Sequence, residues 1–203
     1  ARAPAALLVG LAGYVAVGDL AIRTDPAPKI DVWVTLQQAS DALAHGVNFY
    51  QVTWSGSPGV DDAFTYLPWT AALLAPGRWL LGDVRWALII WTLVAAVGIW
   101  ALATGPRRSL GGSDRTGAEA HRSEPGPRWR GAALVALMLF APGTLTQVDQ
   151  AWTEPLLLAG LVWWVVLVDR DHAWWAVLPL ALACASKQHL ALLEHERELA
   201  QGT

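Results

Sequence analysis

Val84 to Ala103 reads VRWALIIWTLVAAVGIWALA, and this stretch decides the fold. Its only charge is Arg85, next to its start. A helix rises 1.5 Å per residue, so a stretch of this length covers about 30 Å, the thickness of bilayer hydrocarbon. Read outward from it, the chain offers four more apolar stretches. Ala3–Leu20 lies upstream and contains Gly10, Gly13 and Gly18, which let neighbouring helices approach closely. Downstream come Ala132–Leu145, Ala151–Val168 and Ala173–Ala185, the last continuing toward Leu193. Pro142-Gly143 breaks or kinks the first of these, Glu154-Pro155 stands in the first turns of the second, and Pro179 lies inside the third. Any one short apolar stretch would suit the buried helix of a soluble protein. Their repetition in one chain favours a bilayer, and the expected fold is an all-α polytopic membrane protein with about five spans.

Composition agrees. Of the 203 residues, 54% are apolar and 15% charged, against about a quarter charged in soluble domains. The 13 Trp suit the boundary between hydrocarbon and headgroups. The net charge of -3 gives no support for a nucleic-acid partner. A single cysteine, Cys184, excludes an intrachain disulfide and a Cys-rich metal site. No phosphate loop, dinucleotide fingerprint, HExxH or GxSxG motif is present, so neither a metal nor a cofactor is expected. Residues 1–20 compete as a secretory signal with Arg2 as its positive end, but the apolar stretch is longer than a usual signal core, which favours an anchor.

The charges between the stretches give an orientation. Residues 104–131 carry Arg107, Arg108, Arg115, Arg122, Arg128 and Arg130 among Gly, Ser and Pro. The positive-inside rule makes this loop cytoplasmic, and its composition makes it flexible. Alternation then places the N-terminus in the cytoplasm, residues 21–83 outside, Thr146–Gln150 outside and Asp169–His172 inside. The expected location is the cell membrane, with membrane lipids as neighbours. Within the exterior loop, DVWVTLQQASDALAHG reads as an interfacial helix stopped by Gly46. VNFYQVTWSGSPGVDD reads as irregular, and FTYLPWTAALLAPGRWLLG as a turn leading into a second short helix.

Four places can carry chemistry. Asp31 stands on the outer face at the start of the interfacial helix. Its carboxylate can take a proton from a sugar hydroxyl, bind one without reacting, or serve the helix start; Asp19 and Asp25 compete for the role. Glu154 opens an apolar helix behind Gln147, Asp149 and Gln150, and a carboxylate at such depth faces a polar cavity, a partner or the interface. Lys187, with Gln188 and His189, can hold a phosphate or simply reach the headgroups. Tyr66-Leu67-Pro68-Trp69 can line a groove or anchor at the interface.

The order of these motifs resembles the amino-terminal half of polytopic glycosyltransferases of the GT-C superfamily, close to bacterial polyprenol-phosphate-dependent mannosyltransferases. The resemblance rests on Asp31-Val32-Trp33 with the Ala-rich helix to Gly46, on Phe64-Thr65-Tyr66-Leu67-Pro68-Trp69, and on the outer turn Gln147 to Pro155 followed by an Ala-rich span ending Ser186-Lys187-Gln188-His189. It implies Asp31 as catalytic base, and Tyr66, Trp69, Gln147, Glu154, Lys187 and His189 as binding residues. It implies a polyprenyl-phosphate sugar donor, mannose-like, and a lipid or glycan acceptor. The chain departs from the family at Leu67, which is often Pro, and at Gln147-Val148-Asp149-Gln150, which often follows a Gly-Gln-x-Asn pattern. Such enzymes have eight or more spans, so residues 1–203 are expected to be one incomplete transmembrane domain. Two other functions stay open: a non-catalytic fragment or assembly component, and a transporter.

Overall fold

The computed structural model describes residues 2–105 and 127–187. Arg107, Arg108, Arg115 and Arg122 of the cytoplasmic-loop expectation lie outside these residues, as do His189 and the continuation toward Leu193. Among the described residues the fold is all helix with no strand. In chain order it has α1 (Arg2–Thr24), α2 (Asp31–Ala44), a 3-10 turn (Phe49–Gln51), α3 (Pro68–Leu81), α4 (Arg85–Thr104), α5 (Pro127–Leu139), α6 (Thr144–Asp149), α7 (Glu154–Asp169) and α8 (Ala173–Cys184).

Two helices, α1 and α4, are long and apolar enough to cross a membrane. Only 17% of the α1 window and 39% of the α4 window is buried within the fold. On α1, Leu8, Val9 and Leu20 face outward. A core helix of a water-soluble protein would be wrapped on most sides, so this outward apolar surface is consistent with association with a membrane.

The other expected spans are shorter as helices than as apolar stretches. The third divides: α5 stops at Leu139, and α6 starts after Gly143, whose φ of 97° is the left-handed conformation that favours glycine. The Thr144 hydroxyl donates to the Met138 carbonyl at 2.7 Å across the break. α7 has 16 residues and α8 has 12, giving lengths of about 24 and 18 Å. Pro179 sits within α8 without ending it.

α4 is the hub, packing against α3, α5 and α7, while α7 also packs against α8, and α1 against α5 and α6. Two apolar cores result. One joins residues 31–83 to the start of α4: Leu36, Phe49, Trp54, Phe64, Leu74, Val84 and Leu88. The other lies among α1, α4, α5 and α6: Tyr14, Ile22, Ile89, Ala96, Val135, Leu139 and Val148.

The helices and irregular stretch within residues 31–82 follow their sequence pattern. α2 turns Val34, Leu36 and Ala39 inward and ends before Gly46. Residues 52–67 are irregular. Pro68 opens α3, where its missing N–H costs nothing. Gly82, at φ 84°, closes α3 by donating its N–H to the Arg78 carbonyl at 2.9 Å, and the chain turns directly into α4.

Candidate functional site

Asp31 is the first residue of α2, and Ile30 before it offers no side-chain cap. An acid in the first turn complements the helix dipole. Its Oδ1 accepts from the Val32 N–H at 2.8 Å, and the Thr35 hydroxyl donates to its carbonyl. The 59-region loop lies over it: a Cβ on Gly59 would come within 3.0 Å of Asp31 Oδ2. A bulkier loop residue there would displace the carboxylate.

Tyr66 comes from the segment leading into α3. Its phenol is pushed up to about 12, first by burial and then by the negative charges of Asp31 and Glu154. This places three residues, 31, 66 and 154, within one electrostatic field. The phenol stays neutral at physiological pH and can donate a hydrogen bond. Its backbone is held from the other side, because the Tyr50 hydroxyl donates to the Tyr66 carbonyl at 2.9 Å. Tyr50 and Tyr66 both pack against Phe64, with ring centroids 5.5 and 5.8 Å away.

Glu154 starts α7, and its Oε1 accepts from Lys187 Nζ. Lys187 follows α8, and the segment carrying it is tied to α3 where the Thr70 hydroxyl donates to the Ser186 carbonyl at 2.5 Å. Glu154 Oε2 and the neighbouring Thr153 Oγ1 are buried without a hydrogen-bond partner among the described residues. Buried polar atoms normally find a partner, so these two can receive the hydroxyls of a bound molecule. Next to this end of α7 is an apolar crevice of about 180 Å³ lined by Leu73, Trp91, Leu156, Gly160, Trp163 and Leu182.

Glu154 and Lys187 thus meet from the start of α7 and the segment after α8, and the charges of Asp31 and Glu154 both act on the Tyr66 phenol. Trp69 is near by in sequence but half exposed, on the first turn of α3. Gln147 is partly buried in α6, and its side chain has no hydrogen bond with a described residue of the cluster. Sequence reasoning missed Thr70 and Thr153. Each is a hydroxyl in or beside an apolar helix, and that rarity was the available signal. Among the described residues no group of three or more His, Cys, Asp or Glu is placed to hold a metal ion. No family model matches the chain, and neither a curated protein nor a solved structure matches it.

Proposed function

We propose that the chain forms part of a membrane glycosyltransferase that moves a sugar from a polyprenyl phosphate to a hydroxyl of a lipid or glycan acceptor. The observation that carries this reading is the Lys187–Glu154 ion pair beside the buried Glu154 Oε2 and Thr153 Oγ1 and the apolar crevice along α7. Five helical segments crossing in alternation would bring residues 31, 66, 154 and 187 to the same, exterior face and leave Thr104, Arg128 and Asp169 at the cytoplasmic one. The multi-pass arrangement and the cytoplasmic N-terminus belong to the same proposal.

The chemistry divides among the residues. Asp31 takes the proton of the acceptor hydroxyl as its oxygen attacks the anomeric carbon. The bond from that carbon to the phosphate oxygen breaks on the opposite side, so configuration inverts. Polyprenyl phosphate departs, and Lys187 offsets its charge once it leaves Glu154. Tyr66, Glu154 Oε2 and Thr153 hold sugar hydroxyls, and the apolar crevice beside α7 takes the first prenyl units. Trp69 can stack on a sugar face; Gln147 and His189 remain binding residues of the resemblance.

The test is sugar transfer in membranes that contain the protein, with polyprenyl-phosphate sugars as donors and native lipid extract as acceptor. Asp31→Asn keeps size and hydrogen bonding but removes the base, and turnover should fall roughly 10²–10⁴-fold. Asp19→Asn and Asp25→Asn should retain it. The Asp19 carboxylate is spent on Arg23, 2.8 Å away, and Asp25 offers the fold its backbone carbonyl rather than its carboxylate. Normal turnover in Asp31→Asn would reduce Asp31 to a helix-start residue. Loss in Asp25→Asn alone would shift the base to that acid.

A further inference from the structure

A second cluster of charge lies behind the site, where α3 turns into α4. Arg85 is wholly buried and Asp83 nearly so. The Asp83 carboxylate accepts from Arg85 Nη2 at 2.7 Å, from Arg85 Nε at 3.1 Å and from the Arg85 backbone N–H at 2.8 Å. It also accepts from the indole Nε1 of Trp33 on α2, 3.2 Å from both oxygens. The Arg85 guanidinium lies 5.8 Å from the centre of the Trp33 ring, and its Nη2 donates to the Asp25 carbonyl just past α1 at 2.8 Å. One turn along α2, Gln37 completes the seam. Its Oε1 accepts the Val84 N–H at 2.9 Å, and its Nε2 donates to the Gly82 carbonyl at 3.3 Å.

Trp33 and Gln37, four residues apart, lie on one face of α2. Asp31 is two residues before Trp33, about 200° around the helix. The seam therefore holds one side of α2 to α4 and leaves Asp31 on the opposite side, under the loop at Gly59, where its charge acts on the Tyr66 phenol. The Asp31 carboxylate makes no tie to α4 or α7 of its own; its hydrogen bond is to the next residue. A buried ion pair is poor evidence for stability, because desolvation offsets most of its attraction, but it fixes geometry.

We propose that Asp83 is a positioning residue that sets the rotation of α2 through Trp33 and so places Asp31 in the site. The proposal rests on the reading of Asp31 as the base.

The variant is Trp33→Phe, which keeps a smaller aromatic ring beside Arg85 and removes the indole N–H that Asp83 receives. Asp83→Ala would strand Arg85 and can fail to fold. The first measurement is made in membranes on the full chain carrying Asp31→Cys, Glu154→Cys and Cys184→Ser. A short bifunctional thiol reagent should join the two introduced cysteines, and adding Trp33→Phe should cut the yield severalfold at equal amounts of folded protein. The second measurement is transfer by the chain with Asp31 intact. There, Trp33→Phe should lower kcat roughly ten- to hundredfold, as misplacement by an ångström does, with the donor KM unchanged. Unchanged cross-linking, a pair that never cross-links, or a loss of kcat that only tracks the amount of folded protein would each overturn the proposal. If the parent chain transfers no sugar while Trp33→Phe still abolishes cross-linking, the glycosyltransferase reading falls and the positioning stands. If Asp31→Asn is inactive while Trp33→Phe has normal kcat, the reverse holds.

Discussion

Between α2 and α3 the contacts are directional, whereas between α4, α7 and α8 they are mostly steric. In the layer formed by α2, α3 and the loop between them, Arg78 forks onto the Asp41 carboxylate at 2.8 and 2.9 Å, Gln38 exchanges two hydrogen bonds with the Ser55 backbone, and the Trp79 indole donates to the Ser40 carbonyl at 2.9 Å. In the bundle, small residues meet large ones. A Cβ on Gly98 would come within 2.4 Å of Val162, one on Gly160 within 2.8 Å of the Pro179 carbonyl oxygen, and one on Gly131 within 2.9 Å of Trp100. Cross-helix hydrogen bonds are few there, such as Tyr14 to Thr92 at 3.2 Å and Trp163 to the Val94 carbonyl at 2.9 Å. The proposed membrane arrangement would account for the difference. Lipid gives apolar helices little reason to associate beyond close packing, while a layer facing water must bury apolar surface and satisfy every polar group it covers. The candidate site is built where the layers meet, with Asp31 and Tyr66 from the first and Glu154 and Lys187 from the second.

Substitutions can break this contrast in order of expected size. The largest effect belongs to the seam. Asp83→Ala leaves Arg85 buried and unpaired and should cost about 3–5 kcal/mol, whereas the paired change Asp83→Leu with Arg85→Met should restore most of it. Unfolding in detergent, followed by near-ultraviolet circular dichroism, measures both; equal losses in the two variants would show that the ion pair itself stabilises. Next comes the bundle. Gly160→Ala meets a backbone carbonyl that cannot swing aside and should cost about 1–3 kcal/mol. The same substitution at exposed Gly56 would test turn geometry instead, since φ is 79° there and nothing lies near the added atom.

Arg78→Gln should cost less than about 1 kcal/mol, because an ion pair half open to water is screened, and adding salt to the parent chain should reproduce most of the loss. A loss above that would mean the layer of α2 and α3 shields its charges as the seam does. The smallest effect at neutral pH concerns Tyr66. Its neutral phenol is favoured more strongly in the folded chain than in the unfolded one, where it titrates near its ordinary value of 10. The linked stability is fully present below pH 10 and is lost as pH rises toward about 12. In a Tyr14→Phe, Tyr50→Phe background the phenolate absorbance should appear with a midpoint near 12, and Asp31→Asn or Glu154→Gln should each bring it down. A midpoint unmoved by either substitution would separate the two layers at the site.

Much of this was legible in the residues. Composition alone marked α1 and α4, because a helix long and apolar enough to cross a membrane carries almost no charge. Gly46 and Pro142-Gly143 marked a helix end and a break for reasons of backbone geometry. The lengths of α5, α7 and α8 were less legible, since an apolar stretch such as Ala132–Leu145 continues through a Pro-Gly pair that the helix does not. Arg85 read as a stray charge at the head of a span. Its partners are Asp83, which is not one helical turn away, and Trp33, which lies 50 positions before Asp83, and no periodicity links them. The tie from Thr70 to Ser186 spans 116 positions and was equally invisible. Asp31, Tyr66, Glu154 and Lys187 could each be singled out by type and place, but the pairing of Glu154 with Lys187 is a property of the fold.

The two halves of the seam differ in the length of chain they must close. Asp83 and Arg85 are two residues apart, so their pairing needs only one tight turn. Trp33 must return across 50 residues to reach them, and the entropy of closing a loop grows with its length. The head of α4 can thus assemble while the chain is still being made, its cation already neutralised by its neighbour. α2 then docks onto a finished surface instead of helping to create it. In pulse-labelled hydrogen exchange during refolding, amides at the start of α4 should gain protection before those of α2, which makes the carrier of Asp31 a late arrival at its own site.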